Sequence, residues 1–196
     1  QMGLTGEFVT PFVYPPVWAA VIAPVAGSTT PEGFFWGAIV VQMPMLALSP
    51  LLAWRIAGPR APALGVWLML SGVLLYTSQI AGFAVDLLQP QILVTFLTLL
   101  AFERYRNRRA ATAGMLLGLA AMLKIAPAAL VLIFLLDRNW RSLCAFAATC
   151  AAIGVAGLLL AGVDLHLEFL AAVQEIGGIL FLSASNFSVA PVLAAL

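Results

Sequence analysis

Apolar and polar positions alternate along this chain in blocks, not residue by residue. Four long apolar runs, over about 34–54, 63–85, 87–103 and 143–161, are separated by short polar or basic stretches. Runs of this length and uniformity predict membrane-spanning helices. Three shorter apolar runs cover 15–27, 110–123 and 125–136. Each falls short of the roughly 20 residues that a straight crossing needs. Pro15 and Pro16 suit the first turn of the 15–27 helix, and Pro24 is expected to cut it. Pro44 and Pro50 predict kinks in the first span. Residues 165–182 read as an amphipathic helix on the membrane surface. Asp164, Glu168, Ala171 and Glu175 share one face there, and Leu167, Leu170 and Val173 take the other.

The stretch from Ala110 to Leu136 organises the rest. It holds one charge, Lys124, and Pro127 follows three residues later. Pro127 disfavours helical geometry at Ala126 and removes a backbone donor. Arg108 and Arg109 precede the stretch; Arg138 and Arg141 follow it. One reading is a single long, tilted and kinked helix. The other is a helical hairpin that enters the membrane, turns near Lys124–Pro127 and returns. Charge favours the hairpin. Eight of the nine basic residues fall in the loops 55–62, 104–109 and 137–142. Six of the eight acids (Glu7, Glu32, Asp86, Asp164, Glu168 and Glu175) lie elsewhere. The basic loops therefore read as cytoplasmic and the rest as external. That alternation closes only if 15–27 and 110–136 each return to the side they entered from.

Composition agrees. The chain is 63% hydrophobic and 9% charged, with mean hydropathy +1.08, whereas soluble domains run to about 25% charged. The fold class predicted is all-α: a polytopic membrane helical bundle with short re-entrant or broken helices, one transmembrane domain over 1–196. A net charge of +1 and the lack of a basic run mixed with aromatics argue against nucleic acid as a partner. Cys144 and Cys150 lie about 120° apart on one helix and read as packing residues. The chain opens within a polar segment and ends on Leu196 without a polar tail, so it is expected to be a fragment of a longer protein.

Lys124 is the sharpest candidate for chemistry. A lysine at mid-bilayer depth costs about 3 kcal/mol or more and normally faces protein or a water-filled cavity. At the tip of a hairpin it suits a phosphate, such as that of a lipid-linked sugar; snorkelling or pairing with Asp86 would explain it equally simply. Gln89 and Gln91 stand with Asp86 at the external start of a helix, where amides can bond sugar hydroxyls or merely cap the helix. Tyr14 is either a pocket residue or an interfacial anchor. Asn186 and Ser188 lie in an external turn that could line a site. His166 has no metal-ligand spacing around it, and no metal or cofactor is expected.

These residues also carry a resemblance. Phe12-Val13-Tyr14-Pro15-Pro16, with a following apolar run closed by Ala23-Pro24-Val25, resembles the "YPP…P" segment of glycosyltransferase family 87. Gln89-Pro90-Gln91 resembles that family's amide-bearing helix start. Residues 113–120 with Lys124-Ile125-Ala126-Pro127 and Arg138-Asn139-Trp140-Arg141 resemble its "AGxLLGLA…KxxP…RxWR" core. Asn186-Phe187-Ser188 sits where the family often has "NQS". The resemblance implies a bundle of GT-C type in a bacterial inner (plasma) membrane. It implies transfer of a mannose- or arabinofuranose-type sugar from a polyprenyl-phosphate donor to a lipid or glycan acceptor on the external face. Lys124, Gln89, Gln91, Tyr14 and Asn186 are then the substrate-binding candidates. The catalytic residue implied is an aspartate upstream of "YPP", but this sequence holds no aspartate before Asp86; it is expected upstream of residue 1. Two other classes fit the residues as well: a transporter or flippase with Lys124 on the substrate path, or a non-catalytic membrane scaffold. The charge pattern makes one direct prediction: a topology reporter fused at Lys124 scores external, and a cytoplasmic score would remove the case for the hairpin.

Overall fold

The structure, a computed structural model, describes residues 14–58 and 62–177. Within them every regular element is helical. The helices are α1 (Pro16–Ser28), α2 (Pro31–Ala57), α3 (Leu64–Thr77), α4 (Gln79–Asp86), α5 (Gln91–Arg106), α6 (Ala110–Leu123), α7 (Val131–Leu136) and α8 (Trp140–Gly177). A 3₁₀ segment, Ala126–Leu130, leads into α7. Residues 178–182, the end of the predicted surface helix, lie outside the described residues.

Local chemistry sets most of these ends. Pro16 and Pro31 occupy first-turn positions, where a missing N–H costs nothing. The Thr30 hydroxyl accepts from Gly33 N at 3.1 Å and caps α2. Three tight turns use a left-handed residue just past a helix: Leu88 (φ 48°), Arg108 (φ 59°) and Arg138 (φ 51°). In each, the next N–H reaches back six residues inclusive: Gln89 to Ala84 at 2.9 Å, Arg109 to Arg104 at 2.9 Å and Asn139 to Phe134 at 2.8 Å. These bonds satisfy carbonyls that the helix ends leave open.

Some boundaries differ from those the pattern predicts. Pro24, expected to cut α1, lies within it, and Pro44 and Pro50 lie inside α2 as the 34–54 span has them. Proline's fixed φ is helical, and each interruption forfeits one backbone bond without reversing the chain. The predicted 63–85 span is two helices. Ser78 between them is extended (φ −77°, ψ 110°), and its hydroxyl accepts from Ala81 N at 3.3 Å. The serine side chain thus stands in for the helical ladder. The predicted 143–161 span runs from Trp140 to Gly177, with its direction changed at Gly162 (φ 77°, ψ 166°).

The stretch 110–136 is a hairpin. Pro127 offers no N–H to the Leu123 carbonyl, and the chain is already extended at Lys124 (φ −150°, ψ 129°). It then returns alongside α6. Phe134 packs fully buried with Ala101, Ala113 and Leu117. The Tyr105 hydroxyl donates to Asp137 Oδ2 at 2.7 Å, and the Ser142 hydroxyl to the Ala110 carbonyl at 3.0 Å. Both ends of the hairpin therefore lie at one end of the bundle, the arginine-rich end. There Arg55 and Arg104 each stand 3.5 Å from the buried Glu103 carboxylate. Each arm spans about 20 Å, short of the roughly 30 Å hydrocarbon layer.

Helix α6 is the hub. Its buried residues include Gly114 and Gly118, spaced for close helix approach. They meet α8, which runs parallel to α6. A Cβ at Gly114 would overlap the Ser142 carbonyl and come within 3.0 Å of Ala145 Cβ. A Cβ at Gly118 would lie 3.0 Å from the Phe146 carbonyl and from Thr149 Cβ. Ala120, Leu123, Val94 and Leu97 fill the interface with α5.

The outer faces are apolar and open: Leu159 is 81% exposed, Val40 70% and Leu74 69%. Helices α2 and α8 are long and apolar enough to cross a bilayer. Apolar surface of this extent requires lipid or protein against it, and the chain is an all-helical membrane protein. The α6–α8 contact yields a test. Gly114→Val forces two backbones apart and should destabilise the full-length protein by about 1–3 kcal/mol or more, read as a lowered melting temperature. Gly154→Ala, where a Cβ meets nothing within 4 Å, should stay within about 0.5 kcal/mol.

Candidate functional site

At the end of the bundle opposite the arginines, the break after α6 meets the start of α5. Lys124 Nζ donates to Gln91 Oε1 at 2.8 Å. Gln91 Nε2 in turn leans on Thr95 Oγ1 at 3.4 Å. Lys124 is exposed, and among the described residues no carboxylate lies within ion-pair distance of it. Its partner is a neutral amide, and the remaining ammonium donors stay open.

The backbone adds charge of the same sign. Pro90 caps α5, and the first backbone bond at this end is Val94 N to the Pro90 carbonyl at 2.8 Å. The N–H groups of Gln91, Ile92 and Leu93 thus precede the helical ladder, at the positive end of the α5 dipole. An ammonium beside a helix N-terminus is repelled unless an anion lies between them. The arrangement can therefore hold a phosphate or another compact anion.

Beside it is an apolar cavity of about 760 Å³, within the usual range for small-molecule sites. It lies between α1, α2 and the α4–α5 turn. Leu123 and Pro90, the chain neighbours of Lys124 and Gln91, form part of its wall, as do Tyr14, Trp18 and Gln42. Burial pushes the half-buried Tyr14 phenol above its ordinary value. Trp18 Nε1 donates to the Met122 carbonyl at 2.8 Å, which holds α1 against the last turn of α6. It also satisfies a carbonyl near the helix end in a setting where water is scarce.

The structure brings Lys124 and Gln91 together and sets Tyr14 in the adjoining wall. Gln89 does not join them. Its backbone N–H closes the α4 turn, its side chain is half-buried, and it lines no part of the cavity. Asn186 lies outside the described residues. His166 serves its own helix, with Nδ1 at 2.7 Å from the Gly162 carbonyl at the bend in α8. Two residues escaped the sequence reading. Trp18 had only its place beside Pro15-Pro16 as a signal. Gln42 was legible as a lone amide within an apolar span, yet nothing in the sequence says that it faces a cavity. It is buried, and its Oε1 has no hydrogen-bond partner among the described residues.

A hairpin that stops short of a full crossing, a lysine at its tip with a neutral partner and an apolar cavity alongside mark this end of the membrane bundle. Residues 12–196 match the profile of glycosyltransferase family 87, and the chain belongs to that family. Two relatives carry the name polyprenol-phosphate-mannose-dependent alpha-(1-2)-phosphatidylinositol mannoside mannosyltransferase. The chain is 28% identical to the one from Mycobacterium tuberculosis over 162 residues, 79% of this chain and 38% of the relative. It is 29% identical to that from Mycolicibacterium smegmatis over 168 residues, 81% of this chain and 38% of the relative. The chain thus spans under two-fifths of the length of these relatives. No solved structure matches it.

Gln42 provides a test of the cavity. A buried amide oxygen without a partner costs about 1–3 kcal/mol. Gln42→Leu should therefore raise the melting temperature of the ligand-free full-length protein. A lowered one would mean that the amide has a partner elsewhere in the protein.

Proposed function

We propose that this chain is the donor-holding part of a membrane glycosyltransferase that takes its sugar from a polyprenyl phosphate. The observation that carries the reading is the Lys124 ammonium, held at 2.8 Å by the neutral Gln91 amide at the N-terminus of α5. Lys124 and the open N–H groups of α5 bind the donor phosphate. The apolar cavity takes the first part of the polyprenyl chain, with Tyr14 at its wall. Gln91 positions Lys124, and Gln89 and Asn186 are weaker candidates for contacts to the sugar.

In the reaction the acceptor hydroxyl oxygen attacks the anomeric carbon. The bond from that carbon to the phosphate oxygen breaks, and the lipid phosphate leaves with an added negative charge. A fixed cation and helix N–H donors stabilise that charge as it develops. A carboxylate takes the hydroxyl proton. We propose an aspartate for that role; none stands before Asp86 in this sequence.

The names of the two relatives favour a mannose-type sugar and a lipid or glycan acceptor. The arginine-rich end, where Arg55, Arg104 and Asp137 gather, is then cytoplasmic by the positive-inside rule. That sets Lys124 and the sugar-transfer chemistry on the external face of a bacterial plasma membrane.

The test is kinetic. In the full-length enzyme, Lys124→Ala should raise the KM for polyprenyl-phosphate sugar about 10- to 100-fold, the scale of one lost charged hydrogen bond, and slow transfer. Lys124→Arg should recover part of the loss. Unchanged donor KM and transfer rate in Lys124→Ala would remove the phosphate role.

A further inference from the structure

A second hollow lies across the Leu87–Pro90 turn from the apolar cavity. Its volume is about 290 Å³ and its wall runs from Tyr76 through Ser78 and Gln79 to Asp86. It is unlike the first cavity in chemistry. Gln79, Gly82, Phe83 and Asp86 follow the spacing i, i+3, i+4, i+7 and so share one face of α4. A carboxylate and an amide therefore flank a glycine on a single helical stripe. A Cβ at Gly82 would meet nothing within 4 Å, so the floor of the hollow is open.

The hydroxyls of Thr77 and Ser78 are engaged locally, to the Val73 carbonyl and from Ala81 N. The Gln79 and Asp86 side chains have no hydrogen-bond or ion-pair partner among the described residues, and both are exposed. Tyr76 is 93% exposed at the rim, and Phe83 is 42% exposed. Asp86 and Gln79 are therefore free to bond a ligand in the hollow.

We infer that this hollow is an acceptor subsite that binds a sugar ring. The step rests on the transferase reading above. A carboxylate accepts from two neighbouring hydroxyls of a pyranose, and a carboxamide both donates and accepts. An exposed aromatic ring covers the C–H face of the sugar. The glycine floor lets the ring approach the backbone. The ligand class is the glycan head of a lipid or oligosaccharide, delivered beside the phosphate held at Lys124.

The experiment reads binding without turnover. Full-length protein in detergent micelles is probed with methyl α-mannopyranoside by saturation-transfer difference NMR, observing the sugar ring protons. Wild type should transfer saturation to the ring. Asp86→Ala and Tyr76→Ala should each weaken binding about tenfold, the scale of one lost charged hydrogen bond or stacked ring. Lys124→Met should leave sugar binding unchanged. Gln79→Ala, with an exposed side chain and no internal partner among the described residues, is the companion variant and should weaken binding in the same direction. No transfer in wild type, full transfer in Asp86→Ala and Tyr76→Ala, or an equal loss in Lys124→Met would overturn the assignment. Failure of the transferase reading is separate: it would appear as sugar binding in a protein that moves no label from a polyprenyl-phosphate donor.

Discussion

The structure depends on how the chain handles a helix that stops inside an apolar bundle. When α6 ends at Leu123, carbonyls and a lysine are exposed where few waters can serve them. Two neighbours and the chain's own backbone answer that demand. Trp18 reaches across from α1 to the Met122 carbonyl, Gln91 comes from the start of α5 to the ammonium, and Lys124 N bonds back to the Ala120 carbonyl. The break is thereby held, and with it the positions of α1 and α5 against α6. The same residues that satisfy the break also form the proposed anion site and one wall of the apolar cavity.

That economy requires a rigid hub. Helix α6 approaches α8 through Gly114 and Gly118, where added methyl groups would press on the backbone. Close contact of this kind replaces the hydrophobic drive that lipid surroundings remove. Further from the hub the packing thins. No residue of α3 is buried, and the long helices α2 and α8 present much of their apolar surface outward. The part of the molecule that carries charge and cavity is thus anchored at its centre and open at its margins.

The two ends of the bundle have different electrostatic characters. At one end arginines gather around the buried Glu103, and Tyr105 bonds Asp137. At the other, Lys124 has a neutral partner, and Asp86 stands apart from it across the α4–α5 turn. A cation and a carboxylate, both near α5 and neither in an ion pair among the described residues, can serve opposite kinds of ligand: a phosphate on one side and hydroxyl groups on the other. The neutral Gln91 keeps the cation available, because an acidic partner would have cancelled the charge that an anionic head needs.

How much was legible beforehand follows from the range of each interaction. Block hydrophobicity, the distribution of arginines and Pro127 specify a helical membrane protein with a turn near Lys124, because these are one-dimensional properties of the chain. Pro24 misled about the course of α1, since a proline's cost depends on what surrounds the orphaned carbonyl. The split at Ser78 and the bend at Gly162 rest on single side-chain and backbone conformations that periodicity does not register. The partner of Lys124 could have been Asp86 on charge alone. The fold instead presents Gln91, thirty-three residues away in sequence, because antiparallel α5 and α6 bring their neighbouring ends together. Sequence by itself determined where polarity interrupts the apolar runs. Tertiary structure decided which interruptions meet, since hydrogen bonds and cavities depend on distances in space that composition and spacing do not encode.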